Sequence, residues 1–102
     1  KKEALGLMQR DLNRTEKRIA QLVKVPVTQN QFAALCSFVY NVGSGAFQRS
    51  TARMKLNRGN YEGCADEFLR WKYAGKRSIP GLLRRRKAER NLFLSEDVTH
   101  EL

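Results

Sequence analysis

The sequence predicts an all-α fold, a small bundle of five helices joined by short connections. Apolar residues recur at three- and four-residue steps along most of the chain, a spacing that collects them on one face of each helix. No alternating pattern typical of a β-strand reaches a convincing length. The chain has 102 residues, of which 41% are hydrophobic, so it can build one modest core in a single domain.

Two helices are predicted on either side of Pro26. The first spans residues 3–24 and ends there because the residue before a proline avoids the helical conformation. Its apolar stripe consists of Leu5, Met8, Leu12, Ile19, Leu22 and Val23. Thr28 is the predicted N-cap of the second helix, with Gln31 as the reciprocal partner in a capping box, and Gly43 ends this helix. Its inner face is predicted to carry Phe32, Leu35, Cys36, Val39 and Tyr40.

A loop and a short helix are predicted next. The loop covers residues 44–49 and has one apolar residue, Phe47, that anchors it to the core. Ser50 or Thr51 is placed to cap the short helix, because a side-chain oxygen there can accept a hydrogen bond from a free backbone N–H. This third helix is predicted to continue through Leu56.

Asn60 caps the fourth predicted helix, which ends at Gly75, and Pro80 begins the fifth. The inner face of the fourth is predicted to carry Tyr61, Cys64, Ala65, Phe68 and either Leu69 or Trp71. The stripe of the fifth consists of Leu82, Leu83, Ala88, Leu92 and Phe93. Residues 1–94 are therefore predicted to form the helical domain, and residues 95–102 a polar tail.

The formal charge of +10, from 20 Lys and Arg against 10 Asp and Glu, implies an anionic partner. Nucleic acid, an acidic membrane surface and an anionic cell-wall polymer all fit this charge. The aromatic residues do not alternate with basic ones as in a groove for single strands, so we expect no stable nucleic-acid complex. The densest basic run, residues 84–87 with Arg90, is predicted to be a solvated helix face, with a phosphate or cell-wall contact as the alternative.

Membrane and metal signals are also weak. No apolar run approaches the roughly 20 residues of a transmembrane segment, and no signal-peptide core follows the basic start. With no C-x-x-C spacing and with His100 as the single histidine, neither a metal site nor a cofactor is predicted. Cys36 and Cys64 are predicted to be small core residues, with a disulfide between them as the alternative.

The carboxylates offer little acid–base chemistry. Glu62 and Asp66 lie four residues apart on one predicted helix face, but near a helix N-terminus, where the dipole alone favours acidic residues. Glu89 lies among arginines, which favour its ionised form and make it unsuitable as a proton donor. We therefore predict that Glu89 is a salt-bridge partner.

Several distinct motifs follow one another in an order that resembles the C-terminal lobe of phage-type lysozymes, especially the endolysins of lambdoid phages. The motifs after the long basic helix are TQNQF at 28–32, ALCSFVYNVG at 34–43, LNRG at 56–59, FLRW at 68–71 and GLLRRR at 81–86. The resemblance covers roughly residues 4–94. It implies a helical bundle equivalent to that lobe. The implied activity is hydrolysis of the β-1,4 bond between N-acetylmuramic acid and N-acetylglucosamine for host lysis.

In this family, a smaller N-terminal lobe supplies the catalytic Glu, followed by an Asp or Cys and by a Thr in a Thr-x-Gly-x-Gly context. The sequence contains no such string, and no glycine-rich hairpin follows Glu3. We therefore expect the chain to lack the catalytic lobe, to contain no catalytic residue and to be inactive alone.

The resemblance carries five substrate-binding residues to this chain: Tyr40, Asn41, Ser50, Thr51 and Trp71. In the family arrangement, Tyr40 and Asn41 close the helix that faces the substrate. Ser50 and Thr51 begin the next helix, and Trp71 lies near the rim of the cleft.

The implied partner is bacterial peptidoglycan, reached from the host cytoplasm and attacked in the periplasm. Loss of the family's first helix would uncover apolar surface around Phe32, Leu35, Val39 and the last helix. Self-association as a homo-oligomer, or docking to a separate N-terminal lobe, is therefore expected. Two alternatives remain open: a non-catalytic lysozyme-like protein that binds glycan or a protein partner, and a cationic helical module that acts on anionic membranes or nucleic acid.

Overall fold

The computed structural model describes the backbone of residues 2–95 and the side chains of residues 12–95. Helices dominate this part of the chain and are joined by one short antiparallel hairpin, which confirms the predicted fold class. In chain order the elements are α1 (Lys2–Leu22), α2 (Gln29–Val42), α3 (Ser44–Gln48), α4 (Thr51–Asn57), α5 (Tyr61–Phe68), β1 (Tyr73–Ala74), β2 (Arg77–Ser78) and α6 (Pro80–Leu94). None of the helices described combines the length and apolar character needed to cross a membrane.

Side chains cap three helices at the predicted positions. Thr28 Oγ1 accepts a hydrogen bond from the backbone N–H of Gln31 at 3.0 Å, and Gln31 Oε1 accepts one from the backbone N–H of Thr28 at 2.8 Å. Ser50 and Asn60 cap α4 and α5, each by accepting through its side-chain oxygen. Because these bonds satisfy backbone donors that have no partner inside the helix, they fix where the three helices begin.

The segment between α2 and α4 differs from the prediction. Residues 44–49 were expected to form a loop, but most of them form the single-turn helix α3. Gly43 has a φ of 97°, which favours glycine, and it turns the chain sharply between α2 and α3. Phe47 is fully buried, so its predicted role as an apolar anchor is confirmed.

The fourth predicted helix also ends early. Helix α5 ends at Phe68, and Gly75 lies instead in the turn of the β1–β2 hairpin, where its φ is 66°. Each strand has two residues and all four are exposed. A pair this short and solvated leaves no alternating apolar pattern in the sequence, which is why it was not predicted.

Aromatic side chains form the centre of the core. Phe38 of α2 stacks on Phe68 of α5 with ring centroids 4.3 Å apart, and Phe47 and Phe93 meet these two rings edge-on. The remaining buried core residues are Ile19, Leu22, Ala34, Leu35, Val39, Ala52, Leu56, Cys64 and Ala65. Helix α2 packs mainly against α6, and α4 packs mainly against α5. The core thus joins α1 and α6 to the helices that lie between them in the sequence.

The buried face of α6 differs from the predicted apolar stripe. Arg86, Glu89 and Phe93 point inward, with 0%, 4% and 0% of their surface exposed, whereas Ala88 and Leu92 face solvent. The predicted solvated face is therefore wrong for Arg86. Positions three and four residues apart share a helix face, and here two of the three inward positions carry charge. A stripe defined by apolar residues alone could not identify this face.

Candidate functional site

A group of polar side chains joins α2 to α6. We call Ser37, Asn41, Arg85, Arg86 and Glu89 the ion cluster. Arg86 and Glu89 are buried, whereas Asn41 and Arg85 are exposed at its edge. Arg86 Nη2 donates to Asn41 Oδ1 at 2.7 Å, Ser37 Oγ donates to Glu89 Oε2, and Arg85 Nε donates to the same Glu89 oxygen at 3.3 Å. The prediction that Glu89 is a salt-bridge partner is confirmed.

The charges of Arg86 and Glu89 stabilise each other without a well-aligned hydrogen bond. Arg86 Nε lies 3.1 Å from Glu89 Oε1, but the direction of the N–H does not suit a hydrogen bond, and Arg86 Nη1 has no hydrogen-bond partner among the described residues. Burial lowers the pKa of the Arg86 guanidinium, and the Glu89 carboxylate opposes that effect. Because an arginine pKa starts near or above about 12, the side chain remains charged.

Phe38 connects this cluster to Trp71. The guanidinium carbon of Arg86 lies 5.2 Å from the centroid of the Phe38 ring, and the Trp71 ring meets the same Phe38 edge-on at 5.8 Å. Aromatic rings attract cations to their faces and other ring edges to their electron-rich surface. Asn41 bonds to Arg86, and Trp71 contacts Phe38. The positions of these two predicted site residues therefore both depend on the buried contact between Phe38 and Arg86.

Trp71 also lines a depression with two further predicted residues, Ser50 and Thr51. The depression has a volume of about 370 Å³ and includes the charged residues Arg49, Glu67 and Arg70. The Ser50 side chain is buried. Its hydroxyl donates to a backbone carbonyl at 2.7 Å and accepts the capping bond at 3.1 Å. Thr51 is exposed, so it and Trp71 offer the more accessible groups in this depression.

Tyr40 lies apart from these residues. It is 38% exposed, so the expectation that it belongs to the inner face of α2 is wrong. It lines a depression of about 290 Å³ with α1 residues that include Arg14 and Arg18. Of the five predicted residues, the structure brings Ser50, Thr51 and Trp71 together, links Asn41 to Trp71 through the core, and places Tyr40 toward α1.

An apolar groove of about 810 Å³ runs along α1 and α2 and is larger than the two depressions above; we call it the α1–α2 groove. Its lining residues are Leu12, Glu16, Val27, Thr28, Gln29, Phe32, Ala33, Cys36, Ser37, Tyr40 and Arg85. Phe32 contributes to this apolar surface as expected. Leu35 and Val39 do not, because both are fully buried inside the chain, and α6 contributes Arg85 rather than an apolar residue.

The carboxylates that the structure describes are mostly paired with cations. Glu67, 7% exposed, lies 2.9 Å from Lys55 Nζ and 3.4 Å from Arg70 Nε. Asp66 pairs with Arg90 at 2.7 Å. Glu62 is exposed in the first turn of α5, where the helix dipole favours it. Among the described residues, no three His, Cys, Asp or Glu side chains group as metal ligands would.

Both cysteines are free thiols, and desolvation by burial has the largest effect on their pKa values. Burial raises the pKa of Cys36 from 9.0 to about 11, with a further increase from Glu16. Burial also raises the pKa of Cys64 to about 12. The Glu67 carboxylate adds to that increase, and Lys55 opposes it.

These pKa values predict slow thiol labelling. At pH 8 the native thiolate fraction of Cys36 should be roughly a hundredfold lower than that of an unperturbed thiol, because the thiolate is the reactive form. We expect an aromatic disulfide reagent to label Cys36 slowly, Cys64 more slowly still, and both at once in denaturing urea. The native rate should rise about tenfold for each added pH unit. One equivalent of rapid labelling at pH 8 without urea would contradict this assignment.

Ser37 and Arg86 were not predicted to belong to this polar cluster. Ser37 and Asn41 are four residues apart on α2, and Arg86 and Glu89 are three apart on α6, so each pair shares a helix face. Two polar pairs of this spacing lie beside the apolar stripes of two helices. They were the signal in the sequence that could have indicated a polar contact between these helices.

Comparison with known proteins assigns the family. The phage lysozyme family model matches residues 1–89, so the chain belongs to the phage lysozyme family. The endolysin of Salmonella phage P22 is 51% identical over 89 residues, which are 87% of this chain and 60% of that protein.

Solved structures agree. A crystal structure of P22 lysozyme is similar with a TM-score of 0.82 and 49% identity, over 88% of this chain and 61% of that one. The muramidase domain of SpmX from Asticaccaulis excentricus has a TM-score of 0.84 and 35% identity, over 89% of this chain and 65% of that one. This chain therefore spans 60–65% of these three relatives.

Proposed function

We propose that this chain takes part in hydrolysis of the β-1,4 bond between N-acetylmuramic acid and N-acetylglucosamine in bacterial peptidoglycan, during lysis of a phage host. Its membership of the phage lysozyme family supports this proposal. So do the names of its relatives, an endolysin and a muramidase domain. The protein would be made in the host cytoplasm and would act on the wall in the periplasm.

Within that reaction, the chain supplies the helical wall of the substrate cleft and not the general acid. The observation that carries this proposal is the pairing of the two buried carboxylates, Glu67 and Glu89, with lysine and arginine side chains. A glycosidase acid must have a carboxyl oxygen free to donate its proton to the leaving oxygen, whereas these two carboxylates are already engaged by lysine, arginine and serine side chains inside the chain. The chain alone should therefore bind peptidoglycan weakly and should not cleave it.

The proposed substrate-binding residues remain Tyr40, Asn41, Ser50, Thr51 and Trp71. Trp71 would stack on a sugar ring, and Thr51 and Asn41 would bond to its polar groups. Ser50 contributes by holding the start of α4, since both of its hydrogen bonds are made inside the protein. Two arginines and one glutamate line this surface beside Trp71, so its net charge is positive and suits an anionic wall polymer.

A separate N-terminal lobe is the proposed occupant of the α1–α2 groove. The apolar residues there, with Phe32 among them, form a surface that a second apolar element could cover. Glu16 lies in the lining and can pair with a positive charge on that element, whereas Arg85, also in the lining, is bonded to Glu89. A homo-oligomer would use the same surface, and light scattering distinguishes the two, because docking to a lobe predicts a monomer when the chain is alone.

Peptidoglycan binding provides the test of the cleft wall. We expect the chain to sediment with purified peptidoglycan at moderate salt, and we expect replacement of Trp71 by alanine to weaken binding about tenfold, since a stacked ring contributes roughly 1–2 kcal/mol. Tyr73→Ala is the control, because Tyr73 is an exposed aromatic residue two positions away.

The same experiment separates the other two functions. Binding that collapses steeply with salt and ignores competing sugar would favour a cationic helical module. Equal binding by the Trp71 and Tyr73 variants would contradict the proposed wall. Binding that is sensitive to Trp71 but brings no cleavage, even with an added lobe, would favour a non-catalytic glycan-binding protein.

A further inference from the structure

Arg86 is the largest fully buried side chain described, and it reaches an exposed residue. Its Nη2 atom bonds to the side chain of Asn41, 2.7 Å away, at the end of α2. A guanidinium group has only donors, so the Asn41 atom that faces it must be the amide oxygen. Chemistry thus fixes the orientation of this amide, and its NH₂ group points away from Arg86.

We propose that Arg86 is a positioning residue that presents the Asn41 NH₂ group as a hydrogen-bond donor to the glycan. An asparagine that is free to turn could offer a ligand either its oxygen or its NH₂ group. Here the bond from Arg86 holds the oxygen toward the protein and turns the NH₂ group away from Arg86, so position 41 would bind an acceptor. The strongest neutral acceptor on an N-acetylated sugar is the carbonyl oxygen of its acetamido group. This inference rests on the proposed function, because it concerns the same glycan site.

The surroundings of Arg86 explain why the orientation would persist. The guanidinium lies against the Phe38 ring on one side and near the Glu89 carboxylate on another, so it has little freedom to move. Turning the Asn41 amide would set donors against donors and leave the buried Nη2 atom unpaired, which is costly in a dry interior. The positive guanidinium group beside the amide oxygen also polarises the amide and strengthens its N–H donors.

Asn41→Asp is the informative variant. The aspartate keeps an acceptor for Arg86 and adds charge to the contact, so the fold should be at least as stable as the wild type. It removes both N–H donors, so the affinity for chitotetraose, the tetramer of N-acetylglucosamine, should fall about fivefold to tenfold. Asn91→Asp is the matched control, because Asn91 is exposed on α6 and undergoes the same change of charge. Its affinity should not change.

The measurement is a titration of the ¹⁵N-labelled chain with chitotetraose, followed by NMR. We expect the Asn41 side-chain NH₂ signals to move on binding, and Arg86→Lys to shift the same signals in the absence of sugar. Wild-type affinity in Asn41→Asp, or no shift of these signals in Arg86→Lys, would overturn the positioning role while leaving the glycan site intact. Absence of sugar binding by the wild type would overturn the glycan site and this proposal together.

Discussion

Replacing Glu89 by alanine is expected to destabilise the folded chain by about 3–5 kcal/mol, because it leaves a buried charge without its counter-charge. Arg86 is fully buried, and the Glu89 carboxylate is its nearest anion. The same change also removes the acceptor of the Ser37 hydroxyl. Since small domains are stable by only about 5–15 kcal/mol, this loss would remove a large share of the stability of the fold. Urea unfolding followed by far-UV circular dichroism measures the loss.

Two further variants show whether the charge is responsible. Glu62→Ala removes an exposed carboxylate from the first turn of α5 and should change the urea midpoint little. The double variant Arg86→Met with Glu89→Leu removes both charges and keeps similar volume, so it should recover most of the stability lost in Glu89→Ala. Equal destabilisation by Glu62→Ala and Glu89→Ala would contradict the role given to the buried pair.

The second large effect is expected at Phe38. Truncation to alanine should cost about 3–5 kcal/mol, because a buried aromatic side chain is lost and a cavity remains. Phe38 contacts the rings of Phe47, Phe68 and Trp71, so the effect should reach beyond its own volume. Because the Trp71 indole would lose its neighbour, its fluorescence should shift to longer wavelength before unfolding begins.

Met54→Ala is the control for this prediction. Met54 is also a large apolar residue, but half of its surface is exposed, so its truncation should change stability by less than about 0.5 kcal/mol. Urea unfolding of the two variants under one condition gives the comparison. A Phe38 variant as stable as the Met54 variant would show that the aromatic cluster does not organise the core.

The helix boundaries could be predicted from the sequence because they depend on local chemistry. A capping threonine, serine or asparagine bonds to a backbone N–H only a few residues away, so the signal and the structure lie in the same segment. The capping box at Thr28 and Gln31 is the clearest case. The hairpin after α5 is exposed and each of its strands has two residues, so it leaves no apolar pattern in the sequence. Gly75, which turns this hairpin, was therefore assigned to the end of the helix.

The inward face of α6 could not be predicted from local signals of this kind. Arg86 and Glu89 look like members of a solvated basic run until α2 is placed beside them. The Ser37 hydroxyl, the Asn41 amide and the Phe38 ring then supply the bonds and contacts that make burial tolerable. Arg86 and Asn41 are separated by 45 positions in the sequence, and Glu89 and Ser37 by 52. Contacts over such separations are known only once the tertiary structure is known. For the same reason, the sequence suggested five site residues but did not show that Asn41 and Trp71 are both held by the buried pair of Arg86 and Phe38.

The central claim is that this chain provides a wall of a lysozyme cleft without its acid. The most direct test is the clearing of permeabilised Gram-negative cells, followed by turbidity. The chain would be assayed alone, with an added N-terminal lobe of P22 lysozyme, and with the lobe by itself. We predict clearing only when the chain and the lobe are combined. Clearing by the chain alone would contradict the claim, because it would mean that one of the chain's own carboxylates acts as the acid.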